Sequence, residues 1–377
     1  MFEALSYLAL QQYWWFIVSL LASLLVFLMF VQGGQTMIYT LGKDEIERKV
    51  VVNALGRKWE FTFTTLVTFG GAFFASFPLF YASSFGGAYW VWIAILMAFT
   101  IQAFSYEYRS KPNNVLGKKT FEVFLFLNGF LGTILIGTAV GTFFTGAEFI
   151  IDRYNFVEWQ GAAYGLEAVL NIQNVALGLA VFFLARTVAS LYFVKIIDDE
   201  VIEKRARKQI LINSIPFLVF FLFFVFKVLT IEGYAYDMES FAVSMEPNKY
   251  LNNFIEMPWI TAIFLVGVLL VLYAIFRTYL KGGSRGFNMG GIGVVLTVLA
   301  LMLNLGYNGT AFYPSSVDPQ SSLTIQNASS SEFTLTVMSY VSLLVPFVLA
   351  YIYYAWRSID LTGINKADME DKDEHAY

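Results

Sequence analysis

Few residues in this chain are placed to do chemistry, and the first is Glu60. It closes the cluster Arg57, Lys58, Trp59, Glu60, after which an apolar run begins and no further charge follows until Glu107. A carboxylate at such an edge feels opposing influences. Lost solvation raises its pKa, neighbouring cations lower it, and a group poised between the two can take up and release a proton. Proton relay at a membrane boundary is therefore the chemistry open to Glu60, and ionisable residues at such boundaries are functional candidates by default. The plainer reading is an interfacial carboxylate paired with Arg57 or Lys58. Glu107, at the end of the next apolar run, is a weaker candidate for the same role.

Other chemistries are closed off by composition. Cysteine is absent and the single histidine, His375, lies in an acidic C-terminal stretch. Thiolate-held zinc or iron–sulfur centres, disulfides, and haem ligated by a histidine on an apolar helix are thereby excluded. The 11 methionines read as packing residues. Arg186 falls about 10 Å inside an apolar segment by helix rise. It either snorkels to the interface or meets a buried acid or a lipid headgroup, with snorkelling favoured. Lys227, near a segment end, snorkels. Asn171, Gln173 and Asn174 either line a polar pocket or bind interfacial water and neighbouring helices, the latter being the commoner use. Gly282, Gly283 and Gly286 suggest a tight turn rather than a phosphate loop, since no Lys-Ser/Thr pair follows.

These residues need a scaffold, and composition says which. With 58% hydrophobic and 14% charged residues, 39 Phe and 22 Tyr, the chain reads as a polytopic, all-α integral membrane protein. Apolar runs of about twenty residues predict nine spans over 14–31, 61–81, 88–105, 121–144, 168–193, 210–231, 258–279, 289–307 and 333–356. They form one polytopic domain followed by a tail, 357–377. Nine spans permit two four-helix bundles plus a peripheral helix. Of the 24 Lys and Arg, 20 lie in or beside the connections after odd-numbered spans or in the tail, and 2 lie in the other connections. The N-terminus is thus expected outside and the C-terminus in the cytoplasm, which puts Glu60 and Glu107 on the cytoplasmic side. The outer connections are expected to cap helix ends. The N-terminus lacks the features of a cleaved secretory signal and is expected to remain as the first span.

Several blocks, in order along nearly the whole chain, resemble subunit II of cytochrome bd quinol oxidase. They are Leu41 to Asn53 (LGKDEIERKVVVN), Trp59-Glu60, Gly70 to Pro78 (GGAFFASFP), Tyr106 to Lys111 (YEYRSK) and Tyr313 to Ser331 (YPSSVDPQSSLTIQNASSS). The resemblance implies a haem-free subunit of an enzyme in the bacterial cytoplasmic membrane that oxidises quinol and reduces dioxygen to water, electrogenically and without pumping. It implies a haem-bearing subunit I as partner, carrying two b-type haems, one d-type haem and the quinol site, and no cofactor on this chain. It leaves open a small accessory membrane subunit and a structurally held quinone or lipid. It also associates the Glu60 position with cytoplasmic proton uptake. The chain departs from the family where an acidic-glycine pattern usually ends the first span: it reads LMFVQGGQT over Leu28 to Thr36, with no carboxylate. Phe61-Thr62 replaces a usual Gly-Asn, and Gln102 stands where an Arg is common. The rival reading is a polytopic secondary transporter, which would place ionisable or helix-breaking features near the midplane of paired helices. Apart from Pro216 and Pro346, this chain is bare there.

Overall fold

Side-chain oxygens cap the starts of several helices of the computed structural model, which describes residues 2–111, 113–361, 363–366 and 369. Ser6 accepts from the Ala9 amide and opens α1 (Tyr7–Leu28). One residue later α2 (Phe30–Gln35) continues it, followed by the short α3 (Ile38–Leu41). Asp44 accepts from the Glu47 amide and starts α4 (Glu45–Gly56), which leads into α5 (Trp59–Ser76). Each cap supplies an acceptor to amides that no turn of helix can satisfy.

α5 stops at Phe77 because Pro78 has no amide hydrogen to donate and its ring collides with the preceding turn. Pro78 instead takes the first position of α6 (Pro78–Phe80), where the missing donor costs nothing. A π-helical turn, Tyr81–Gly87, follows. The two halves meet at 116°, so the expected span 61–81 is a helix ending at Ser76 and then a sharp change of direction. α7 (Tyr89–Tyr108) returns. α8 (Lys118–Leu127), a π-helical turn (Asn128–Gly132) and α9 (Thr133–Thr145) form one continuous rod.

Asn171 caps α10 (Ile172–Ile196), and Asp199 caps the 31-residue α11 (Glu200–Thr230). α11 begins ten residues before the expected span and carries Pro216 without breaking. The short α12 (Lys249–Glu256) precedes α13 (Pro258–Lys281) and α14 (Arg285–Gly306), joined by a turn with positive φ at Gly282 and Gly283. The last apolar run splits into α15 (Glu332–Ser342) and α16 (Val345–Ile359), bent by 40° where Pro346 enters α16. Among the described residues, seven helices are long and apolar enough to cross a membrane, or up to nine if each bent pair is one span.

The only strands among the described residues lie in the connections expected to be outer caps. β1 (Phe149–Ile151) pairs with β2 (Val157–Trp159), and β3 (Glu232–Tyr236) with β4 (Val243–Pro247). Bridges Ala147 to Ser315 and Ala235 to Thr310 tie these hairpins to the loop before α15. Most buried apolar residues form two clusters, one toward this cap and one toward α4, and Tyr234, Tyr236, Val243 and Ala311 form a small third. α10 touches α1, α2, α9, α11, α13 and α14, and the packing draws no border between two four-helix bundles. α16 has no buried residue.

What fastens α16 is Asp360. Its carboxylate meets Lys58 Nζ at 2.8 Å and Lys195 Nζ at 2.7 Å, and accepts from Trp356 Nε1 at 3.0 Å. Lys58 is fully buried and also lies over the Trp356 ring. Beyond it, Ile364 exchanges backbone hydrogen bonds with Ile196 and Asp198, and Lys366 reaches Glu47 and Asp199 at 3.2 Å each. Hydrogen bonds that it donates to Asp199 and Glu47 hold the Lys366 ammonium above the ordinary lysine range. Of the expected tail, His375 and its neighbours lie outside the described residues.

Removing one partner of a buried ion pair costs about 3–5 kcal/mol because the other charge is stranded. Asp360→Leu is therefore expected to lower the thermal denaturation midpoint and to expose the segment after Ile359 to proteolysis. Adding Lys58→Met should recover part of the loss, whereas equal midpoints for all three proteins would show that the pair holds nothing.

Candidate functional site

Glu60 lies in the first turn of α5 and is exposed. It lines an open groove of roughly 680 Å3 with Arg57, Phe61, Thr64 and, from α16, Ile352, Ser358 and Ile359. No ion pair to Glu60 exists among the described residues, and the expected pairing with Lys58 does not form because Lys58 is committed to Asp360. Glu60 heads an exposed stripe of α5: Glu60, Thr64, Val67, Gly71 and Phe74. Val67 and Phe74 are each 60% exposed, and no atom lies within 4 Å of a Cβ placed on Gly71. Glu107 pairs with Lys111 at 3.1 Å on the surface, both more than half exposed. The structure does not bring Glu60 and Glu107 together.

What it does bring together is a polar seam between α2–α3 and α7. Gln32, Gln35 and Tyr39 recur at helical spacing, as do Gln102, Tyr106 and Arg109 across from them. Gln32 Nε2 donates to Gln102 Oε1 at 2.9 Å, and Gln35 Nε2 donates to the Tyr106 hydroxyl at 3.1 Å. The third rung is ionic. Arg109 donates from Nε (3.2 Å) and Nη2 (2.6 Å) to one oxygen of Glu122 on α8, and both residues are 2% exposed. Arg48 from α4 approaches the other Glu122 oxygen at 3.6 Å. Partial burial and the neighbouring Glu122 carboxylate push Tyr39 up to about 12. Trp59, the residue before Glu60, stacks on Tyr106 with ring centroids 5.6 Å apart. From Gln102 to Arg109 the seam runs seven residue steps, about 10 Å of helix rise.

The seam's residues were in view as departures, Gln32 and Gln102, but not as a set. Arg109, Glu122 and Asn128 were missed. The repeating polar positions 32, 35, 39 and 102, 106, 109 were the signal, hidden because polar residues at the ends of apolar runs look like interfacial decoration.

Arg186 does not snorkel. Its Nε donates to Asn213 Oδ1 and its Nη1 to Thr36 Oγ1, both at 2.6 Å, and the guanidinium lies over Phe182. Its partners are neutral, unlike the acid or headgroup considered for it. Asn171 and Asn174 line a cavity of about 190 Å3 at the opposite end of the molecule, with Thr142, Thr145, Glu167 and Tyr313. Asn174 accepts from Thr145 at 2.8 Å, while Gln173 Nε2 is buried without a partner. No cluster of three metal-ligating side chains exists among the described residues. With no cysteine and only His375, the donor set does not fit a haem held by histidine or cysteine, and no step is derived through one in this chain.

The family model for cytochrome bd terminal oxidase subunit II matches residues 10–359. The chain is similar to cytochrome bd-I ubiquinol oxidase subunit 2 of Escherichia coli K12, 28% identical over 99% of this chain and 100% of that one. It is also similar to cytochrome bd ubiquinol oxidase subunit 2 of Bacillus subtilis, 29% identical over 91% and 95%. Among solved structures, a chain of the bd oxidase from Geobacillus thermodenitrificans shares the fold with a TM-score of 0.66 at 12% identity, covering 93% of this chain and 98% of that one. Nothing in these matches supports the secondary-transporter reading.

The close approach that builds the seam depends on Gly129, where any Cβ would collide with the Gln32 carbonyl oxygen. Overpacking a tight contact costs about 1–3 kcal/mol. Gly129→Ala is thus expected to lower the thermal midpoint while Gly71→Ala leaves it unchanged; the same midpoint for both variants would contradict the tight packing at Gly129.

Proposed function

The chain belongs to the cytochrome bd terminal oxidase subunit II family, and from that premise we propose that it is the haem-free subunit which completes the complex and serves its cytoplasmic proton uptake. The complex is a quinol:oxygen oxidoreductase of the bacterial inner membrane. In this reading the haem-bearing subunit I carries two b-type haems and one d-type haem, oxidises quinol and reduces dioxygen to water. The N-terminus faces outside and the C-terminus faces the cytoplasm, as the placement of 20 of 24 cations argues.

The observation that carries the proton role is the position of Glu60. It stands at the charged end of an exposed stripe of α5 that continues through Thr64, Val67, Gly71 and Phe74. α16, across the groove, has no buried residue. A helix apolar all round and uncovered needs lipid or a partner against it, and Gly71 is the kind of small residue that lets a partner helix come close. A carboxylate at the cytoplasmic edge of such a face can pass protons toward the partner, because one side of it meets water and the other a dry interface. Glu107, paired and fully on the surface, has the weaker claim.

Glu60→Gln keeps the side chain's size and removes the exchangeable proton. Turnover is expected to fall by about tenfold with haem content intact, and Glu60→Asp to cost less. Wild-type oxygen consumption by the assembled Glu60→Gln complex over a wide pH range would leave Glu60 an anchor only. Gly71→Leu has room in this subunit, so its expected effect is confined to assembly: less subunit I should co-purify. Unchanged co-purification and haem content would mean that this face meets lipid.

A further inference from the structure

The inner end of the polar seam is incompletely bonded. Gln32 Oε1, Gln35 Oε1, Gln102 Nε2 and both side-chain atoms of Asn128 are buried with no hydrogen-bond partner among the described residues. Gln32, Gln35, Gln102 and Asn128 are each 0% exposed. They converge from three elements: α2, α7 and the π-helical turn that begins at Asn128. Gly129, beside Asn128, presses against the Gln32 backbone, and Asn128 Nδ2 lies 3.4 Å from where a Cβ on Gly132 would stand, next to the Phe99 ring. A π-helical turn inside an α-helix costs hydrogen-bond geometry and commonly marks a functional position. Here it begins at Asn128, whose amide is buried beside Phe99 of α7.

We infer that Gln32, Gln102 and Asn128 enclose a binding site for ordered water inside the membrane-embedded body. The chemistry selects the ligand. A bare cation would need acceptors only and an anion donors only, whereas the unpartnered set holds acceptors on Gln32, Gln35 and Asn128 and donors on Gln102 and Asn128. Water offers two donors and two acceptors and needs two to four polar partners. Turning any of these amides over exchanges a donor for an acceptor but leaves the same mixed set. Apolar neighbours such as Phe99 close the site, and leaving these groups bare in a medium without competing water would be unfavourable. The site continues the rung Gln35–Tyr106, so the seam becomes an uncharged hydrated track beyond the Arg109–Glu122 pair. The inference does not rest on the proton role of Glu60, and either can fail without the other.

Radiolytic hydroxyl-radical labelling of the assembled oxidase in heavy-oxygen water tests it, because radicals formed from a bound water modify the side chains beside it. Tyr106 and Phe99, 2% and 1% exposed, are expected to take up heavy oxygen several-fold more than Phe73, which is 0% exposed in the apolar cluster. Asn128→Leu should return Tyr106 and Phe99 to the Phe73 level. Labelling of both no greater than that of Phe73 in the wild-type complex overturns the site, and this arm needs no variant to fold. Labelling that persists undiminished in an assembled Asn128→Leu complex overturns the assignment to Asn128.

Discussion

Inside a bilayer no solvent replaces a missing partner, so each buried charge or amide must be answered by another group of the protein. That constraint orders the half of this molecule around α4. Asp360 answers Lys58 and Lys195, and in doing so ties the loosely packed α16 to the α4–α5 junction and to the end of α10. Glu122 answers Arg109 and draws Arg48 toward it, which ties α8 to α7 and to α4. Arg186, with no acid in reach, is satisfied by Asn213 and Thr36 and so couples α10 to α11 and to the end of α2. These three charged clusters thus lock elements far apart in sequence, where apolar packing alone would permit sliding.

The helices were largely legible because hydrocarbon thickness sets a length and composition that few soluble segments share. The runs around 121–144 and 258–279 lie within the helices Lys118–Thr145 and Pro258–Lys281. What apolar content could not show was direction. Pro78 and Pro346 sit in runs as hydrophobic as any other, yet each starts a new helix, and hydropathy averages over a 116° corner without registering it. Residues 200–209 were counted as a loop for their charge, although an Asp199 cap and good helix formers carry α11 out of the apolar region.

The site was legible only in part. Glu60 and Glu107 stood out because charge is rare here, and rarity is what a single sequence displays. The seam is built instead of Gln, Asn and Tyr, which occur at many span ends. Its rungs become visible only when α2 and α7 are set side by side, a pairing fixed by the tertiary fold. Arg186 illustrates the same limit. Snorkelling is the sound expectation for a long cation near an interface, but helical side chains lean toward the helix N-terminus, and for α10 that direction leads away from the nearer end, toward Thr36.

The distribution of charge around the seam follows from cost. Glu60 is at the edge, where water solvates it whether or not the partner is bound, and Glu122 a little deeper, where it needs Arg109 and Arg48. Farther in, the seam holds only neutral amides and phenols. A carboxylate at Gln32 would need a cation at Gln102 to avoid an unpaired buried charge, and the pair would recover its desolvation cost only with near-ideal geometry. Two amides give up that attraction but avoid the penalty, and they remain able to donate and accept at once. An ion pair at these two positions could lose both charges together and keep a polar seam, whereas losing either one alone would strand the other.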